Sequence, residues 1–236
     1  MGQPAETKII EFNGLAGCGK TTLARELKEE LIRRGYRVIL FGEAYHIFKE
    51  HPFKNIIRCF EWPLFLQYIR FFLVIGRKKE NTLFIYWAAL RISLIYRWCL
   101  KTGEYNFILC DHGLIQNIIS LLGFDQLKHC ERFNRCFTSI LKAESKIYIV
   151  NCNVPIELSS KRIHIRKKNT GRLDVISNDL DLKKLLRITE INFIAVRNKV
   201  KTIQKEWPII DLETDKPIQI NIQRMLNLLS QRNQYE

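Results

Sequence analysis

The 236-residue chain is 47% hydrophobic and 26% charged, a composition that excludes disordered and collagen-like chains and suits one α/β domain spanning residues 1–236. Lys and Arg number 38 against 24 Asp and Glu, so the formal charge is +14 and the partners are anionic: nucleotide, nucleic acid or lipid headgroup. Seven cysteines, an odd number without CxxC spacing, argue against a disulfide framework or zinc site and point to a reducing, cytoplasmic compartment. Residues 1–8 are polar and lack the apolar core of a secretory signal. Arg70, the Arg77-Lys78-Lys79 run, Arg91 and Arg97 cut the most apolar stretches short of the roughly eighteen residues a spanning helix needs.

In chain order, Lys8–Asn13 predicts a short buried strand that runs directly into Gly14-Leu15-Ala16-Gly17-Cys18-Gly19-Lys20-Thr21. Leu23, Leu27 and Leu31 then recur at helical spacing. Strand, GxxxxGK[ST] and helix together form a phosphate-binding loop in the context it requires. A phosphate chain needs inward-pointing backbone N–H groups, and Gly14, Gly17 and Gly19 keep side chains out of its way. Cys18 and Thr22 belong to the same binding run, and the helix start adds partial positive charge. Lys20 is expected to reach the β- and γ-phosphates, and the Thr21 hydroxyl to ligate Mg²⁺.

Gly35 ends the first helix, and residues 36–41 predict a second strand with Glu43 at its end, in the same crevice, as a candidate proton acceptor. Residues 44–104 read as helices only. Between Phe53 and Lys101 they hold twelve of the chain's 26 aromatics and nine Lys or Arg, which suits either an oily cap on the sheet or an acceptor pocket. Arg58, Arg70 and Arg91 are candidates to hold an acceptor phosphate, and the 77–79 run is a candidate contact with an anionic membrane surface. A third strand over 105–110 delivers Asp111, the expected metal contact, with His112 and Gln116 on the following turn.

A fourth strand over 146–150 precedes a basic stretch between Glu157 and Asp174, with Lys161, Arg162, Arg166, Lys167, Lys168 and Arg172 but no acid. Arg162 and Arg166 share one helical face, and Asn169-Thr170-Gly171 breaks the helix after them, as a closing lid requires. Guanidinium groups there would stabilise a transferring phosphoryl group. A long helix over 179–203 carries Leu182, Leu186, Thr189, Phe193, Val196 and Val200 in a stripe read as core-facing. A fifth strand over 207–212 is followed by Asp215 and Pro217, read as the N-cap and first residue of a last helix. Alternating strands and helices give a parallel, doubly wound sheet with ligands at the strand carboxyl ends.

The phosphate loop Gly14–Thr21, the acid Glu43, the turn Asp111-His112-Gly113 and the arginines 162 and 166 fall in an order that resembles the P-loop nucleoside and nucleotide kinases, in particular the thymidylate-kinase-like and deoxynucleoside-kinase-like branch. The resemblance implies a three-layer αβα fold with sheet order 2-3-1-4-5, ATP and Mg²⁺ as cofactors, and an acceptor site under the helical insertion. It also implies that residues 213–215 lie beside the adenine. His112 stands where that family has arginine, and no proline follows Glu43.

The expected activity is transfer of the γ-phosphoryl of Mg-ATP to a nucleoside, nucleotide or related small acceptor, with no obligate nucleic acid and with a homodimer compatible. The alternative is a nucleotide-binding ATPase or regulatory protein whose basic surface engages nucleic acid or an anionic membrane. No NKxD-type guanine reader follows the fourth strand, where Asn151-Cys152-Asn153 stands, which argues against a GTPase.

Overall fold

The computed structural model describes residues 7–75, 82–122, 138–142, 147–166, 173 and 176–232. Arg77-Lys78-Lys79, Lys167, Lys168, Asn169-Thr170-Gly171, Arg172 and Asp174 lie outside the described residues. Five strands form one sheet: β1 (Lys8–Asn13), β2 (Val38–Leu40), β3 (Phe107–Cys110), β4 (Ile147–Asn153) and β5 (Ile209–Glu213). All pairings are parallel, in the order β2-β3-β1-β4-β5 expected from the resemblance.

The described helices are α1 (Lys20–Arg33), α2 (Phe41–Glu50), α3 (Pro52–Cys59), α4 (Trp62–Ile75), α5 (Thr82–Thr102), α6 (Leu114–Leu122), α7 (Ile156–Ile165), α8 (Asp179–Ile203) and α9 (Ile218–Arg232). A further helical turn covers 138–142. Because successive strand side chains point to opposite faces, each strand feeds two cores. Ile9, Ile108, Ile147 and Ile149 pack toward α2–α6 and α8 on one face. Ile10, Phe12, Leu109, Tyr148 and Val150 pack toward α1 and α9 on the other. Burying a residue such as Leu27, fully enclosed in α1, stabilises the fold by about 2 kcal/mol. The result is a three-layer αβα architecture.

Much of the aromatic content of 44–104 is core. Tyr68, Phe71 and Tyr96 are fully buried, and Tyr68 shares a hydrogen bond with Ser93 at 2.5 Å. Phe53, Trp62 and Trp87 remain exposed. Among the described residues no helix is long and apolar enough to cross a membrane.

Strand ends differ from expectation by up to three residues, and two boundaries carry residues singled out above. Strand β2 stops at Leu40, and Glu43 lies in the first turn of α2 rather than at a strand end. Its carboxylate accepts the Leu40 N–H at 3.0 Å, which caps the helix and starts it early. Helix α9 begins at Ile218, so Pro217 precedes it and Asp215 sits in the turn before.

Candidate active site

The loop between β1 and α1 is shaped by close approach. Gly14 has φ +148°, and a Cβ there would meet the Cys152 carbonyl oxygen at 2.5 Å and the Cys18 sulfur at 2.9 Å. A side chain at this position would push the loop off β4. Lys20 is buried, and its ammonium donates to the carbonyls of Gly14 at 2.9 Å and Leu15 at 2.8 Å. The cationic side chain is thereby folded over the loop at the amino terminus of α1, where two positive features attract the same anion.

Across the sheet, β3 ends at Cys110 and presents Asp111 beside the loop. The Thr21 hydroxyl donates to Asp111 Oδ2 at 2.5 Å, which joins two residues ninety positions apart. A hydroxyl and a carboxylate are hard oxygen ligands, and Mg²⁺ takes few protein ligands while keeping waters and phosphate oxygens. Among the described residues no cluster of three His, Cys, Asp or Glu could enclose a metal by itself. The Thr21–Asp111 pair therefore suits a cation that arrives with phosphates.

Helix α7 is docked on the loop. Ser159 Oγ donates to the Ala16 carbonyl at 2.5 Å, and Arg162 Nη1 donates to the Gly17 carbonyl at 3.4 Å. The second arm of Arg162 donates to the Thr214 carbonyl at 3.2 Å, bridging the loop to the turn after β5. That turn is held in place by the Thr214 N–H and hydroxyl, both donating to the Asn153 carbonyl. Arg166, one residue past the end of α7, is exposed at the mouth.

These parts surround one cavity of about 930 Å³. The loop residues Gly14, Gly17, Cys18, Gly19, Lys20, Thr21 and Thr22 line it, as do Arg162, Arg166 and Thr214. Part of its remaining wall comes from His112 and Gln116 around the start of α6, and from Thr189, Asn192 and Phe193 of α8. Desolvation at this wall, together with the Lys20 ammonium, holds the His112 imidazole below the ordinary histidine range. A neutral imidazole can both donate and accept there.

Among the described residues of 44–104, none lines the cavity. Arg91 is engaged elsewhere: its guanidinium lies 4.6 Å from the Tyr45 ring centre and donates to the Tyr45 hydroxyl. Arg58 donates to the Lys101 carbonyl, and Arg70 lies exposed on α4. Glu43 also stands outside the lining. Its carboxylate binds Lys28 Nζ of α1 at 2.5 Å. Partial burial works against ionisation of this acid, yet the Lys28 and Leu40 hydrogen bonds hold it below the usual glutamate range.

The structure adds a residue that the sequence reading passed over. Glu11, fully buried in β1, accepts the Ile115 N–H at 2.7 Å and the Gln116 N–H at 3.3 Å, and Tyr96 donates to it at 3.4 Å. It anchors the start of α6, and with it the turn that carries Asp111 and His112. Burial pushes its carboxyl up to about 7 against these hydrogen bonds. A carboxylate inside the apolar run Lys8–Asn13 was the available signal.

Solved structures of deoxyadenosine kinase share the fold. The structure of deoxyadenosine kinase from M. mycoides with bound dCTP aligns at a TM-score of 0.52 and 14% identity, over 94% of this chain and 99% of that one. The same kinase with products dCMP and a flexible dCDP bound aligns at 0.54 and 13%, with the same coverage. No protein-family model matches the chain, and no curated protein matches it in sequence.

Proposed function

We propose that the chain is a phosphotransferase that moves the γ-phosphoryl of Mg-ATP to a nucleoside, nucleotide or similar small acceptor. The observation that carries this reading is the convergence on one cavity of the glycine loop with Lys20, the Thr21–Asp111 oxygen pair, and Arg162 and Arg166. ATP would lay its phosphates along the loop, with Lys20 on the β- and γ-oxygens and its base toward Thr214. Mg²⁺ bound by Thr21 and Asp111 would neutralise charge on the phosphates. Arg162 and Arg166 would stabilise the charge spread over the transferring group.

The acceptor would occupy the wall formed by His112, Gln116, Thr189, Asn192 and Phe193, which offers one aromatic face and several hydrogen-bonding groups. Such a lining suits a flat ring with polar edges. The kinases of like fold, described with deoxynucleotides bound, support the same acceptor class.

The test is ATP consumption with and without a panel of nucleosides, nucleoside monophosphates and sugars. Stimulation by one nucleoside or nucleotide, with its phosphorylated product identified, is the expected result. ATP consumption unaffected by every acceptor, or none at all, would contradict the reading.

A further inference from the structure

The cleft described above and a smaller cavity of about 280 Å³ share Gly14 as a wall. Cys18 lines the first and Cys152 the second. Both are free, buried thiols of one core cluster, and the Cys18 sulfur and the Cys152 main-chain carbonyl both press on Gly14. The Cys152 thiol donates a hydrogen bond to the Cys18 sulfur, and Lys20 Nζ donates to that same sulfur at 3.6 Å. The Cys152 hydrogen bond, opposed by burial and helped by Lys20, holds the Cys18 thiol below the ordinary thiol range. The same contact, reinforced by burial, pushes Cys152 well up. A thiolate beside a protonated partner thiol has the chemistry of an attacking and a resolving cysteine.

We propose that Cys18 and Cys152 form a peroxide-responsive dithiol whose oxidation ties the phosphate-binding loop to β4 and blocks nucleotide binding. The Cys18 thiolate attacks one oxygen of hydrogen peroxide, the O–O bond breaks, and the departing hydroxide takes up a proton to become water. The Cys18 sulfenic acid remains. Cys152 then gives up its proton, its sulfur attacks the Cys18 sulfur, the S–OH bond breaks, and a second water leaves. Two thiols and one peroxide thus become one disulfide and two waters.

An S–S bond of about 2 Å draws the sulfurs together from hydrogen-bond contact. It pulls the segment between Gly17 and Gly19 toward β4 and removes the sulfur charge on which Lys20 rests. Loss of nucleotide affinity follows from the nucleotide-binding reading of the loop, whereas the disulfide itself does not depend on it.

The test treats the full chain with hydrogen peroxide and follows intact mass, peptide maps and calorimetric titration with Mg-ATP. Expected are a loss of about 2 Da, a peptide linking Cys18 to Cys152, and an affinity lowered about tenfold or more that dithiothreitol restores. Cys152→Ser and Cys152→Ala should bind nucleotide like the reduced wild type and give no such linked peptide. Absence of the linked peptide from oxidised wild type, or a link that leaves affinity unchanged, overturns the proposal. Reduced protein that binds no nucleotide would instead overturn the functional reading, and the peptide map would still decide whether the disulfide forms.

Discussion

A Cβ on Gly113 would come within 2.0 Å of Cδ of Glu11, so the carboxylate occupies the space that any larger residue at 113 would need. The glycine lets the first turn of α6 settle on the acid, whose oxygens then receive the Ile115 and Gln116 N–H groups. Gly113→Ala is expected to destabilise the fold by about 2 kcal/mol in denaturant unfolding, because a fully packed position must shift. Adding Glu11→Ala to that variant should cost less than its effect in wild type, and a double-mutant cycle would measure the coupling. Additive costs would show that the two residues do not compete for the same space.

Glu11 also sets a pH dependence. Its folded-state carboxyl lies at about 7 against an ordinary 4.5, so the folded protein binds this proton more tightly than the unfolded chain. The stability it contributes is full below the unfolded value and is lost as pH rises through the folded one. Thermal melts of wild type should therefore lose stability from about pH 5 to about pH 8, by an amount on the order of 3 kcal/mol from this group. In Glu11→Gln this component should vanish, because the amide keeps an acceptor for Ile115 but carries no titrating proton. A Gln variant whose pH profile parallels that of wild type would count against the buried acid as its source.

If the proposed function holds, the Thr21–Asp111 contact predicts how Mg²⁺ would act. Asp111→Asn should lower turnover by about a hundredfold and raise the Mg²⁺ concentration needed for half-maximal rate. Chelation of Mg²⁺ should stop transfer while the far-ultraviolet circular dichroism stays constant, since the oxygen pair lies at a cleft and not in a core. A protein that unfolds on chelation would reveal a structural ion instead.

The two arginines should separate kinetically. Arg162 braces the loop against the Thr214 turn, so Arg162→Ala should raise KM for ATP as well as lower kcat. Arg166 stands at the cavity mouth beyond the helix end, and Arg166→Ala should lower kcat by about tenfold or more with KM for ATP little changed. Equal kinetics for both variants and wild type would reduce the stretch to a solvated basic face.

The sheet and the glycine loop between β1 and α1 were legible in the sequence because each rests on local rules. Alternating apolar residues wrote the strands, and GxxxxGK[ST] between strand and helix wrote the loop. Asp111 was legible for the same reason, as an acid closing an apolar strand. Glu43 was not, since its place depends on a helix that starts at Phe41 and on Lys28 of a different helix. Nor was the cavity's second wall. Thr189 and Phe193 belong to an α8 stripe that reads as core-facing, and Leu182, Leu186, Val196 and Val200 are indeed buried. At Thr189 the same stripe lines the cleft, and Asn192, three residues on, was the polar sign of it. The insertion's arginines failed as cavity residues because Tyr45 and a main-chain carbonyl of α5 engage two of them.

The most direct measurement of the central claim is calorimetric titration of Mg-ATP into reduced wild type and into Lys20→Ala. Saturable binding of one nucleotide per chain to wild type, weakened about a hundredfold or more in the variant at unchanged circular dichroism, is the result expected. No heat with wild type, or equal affinity in both proteins, would show that the glycine loop does not hold a triphosphate.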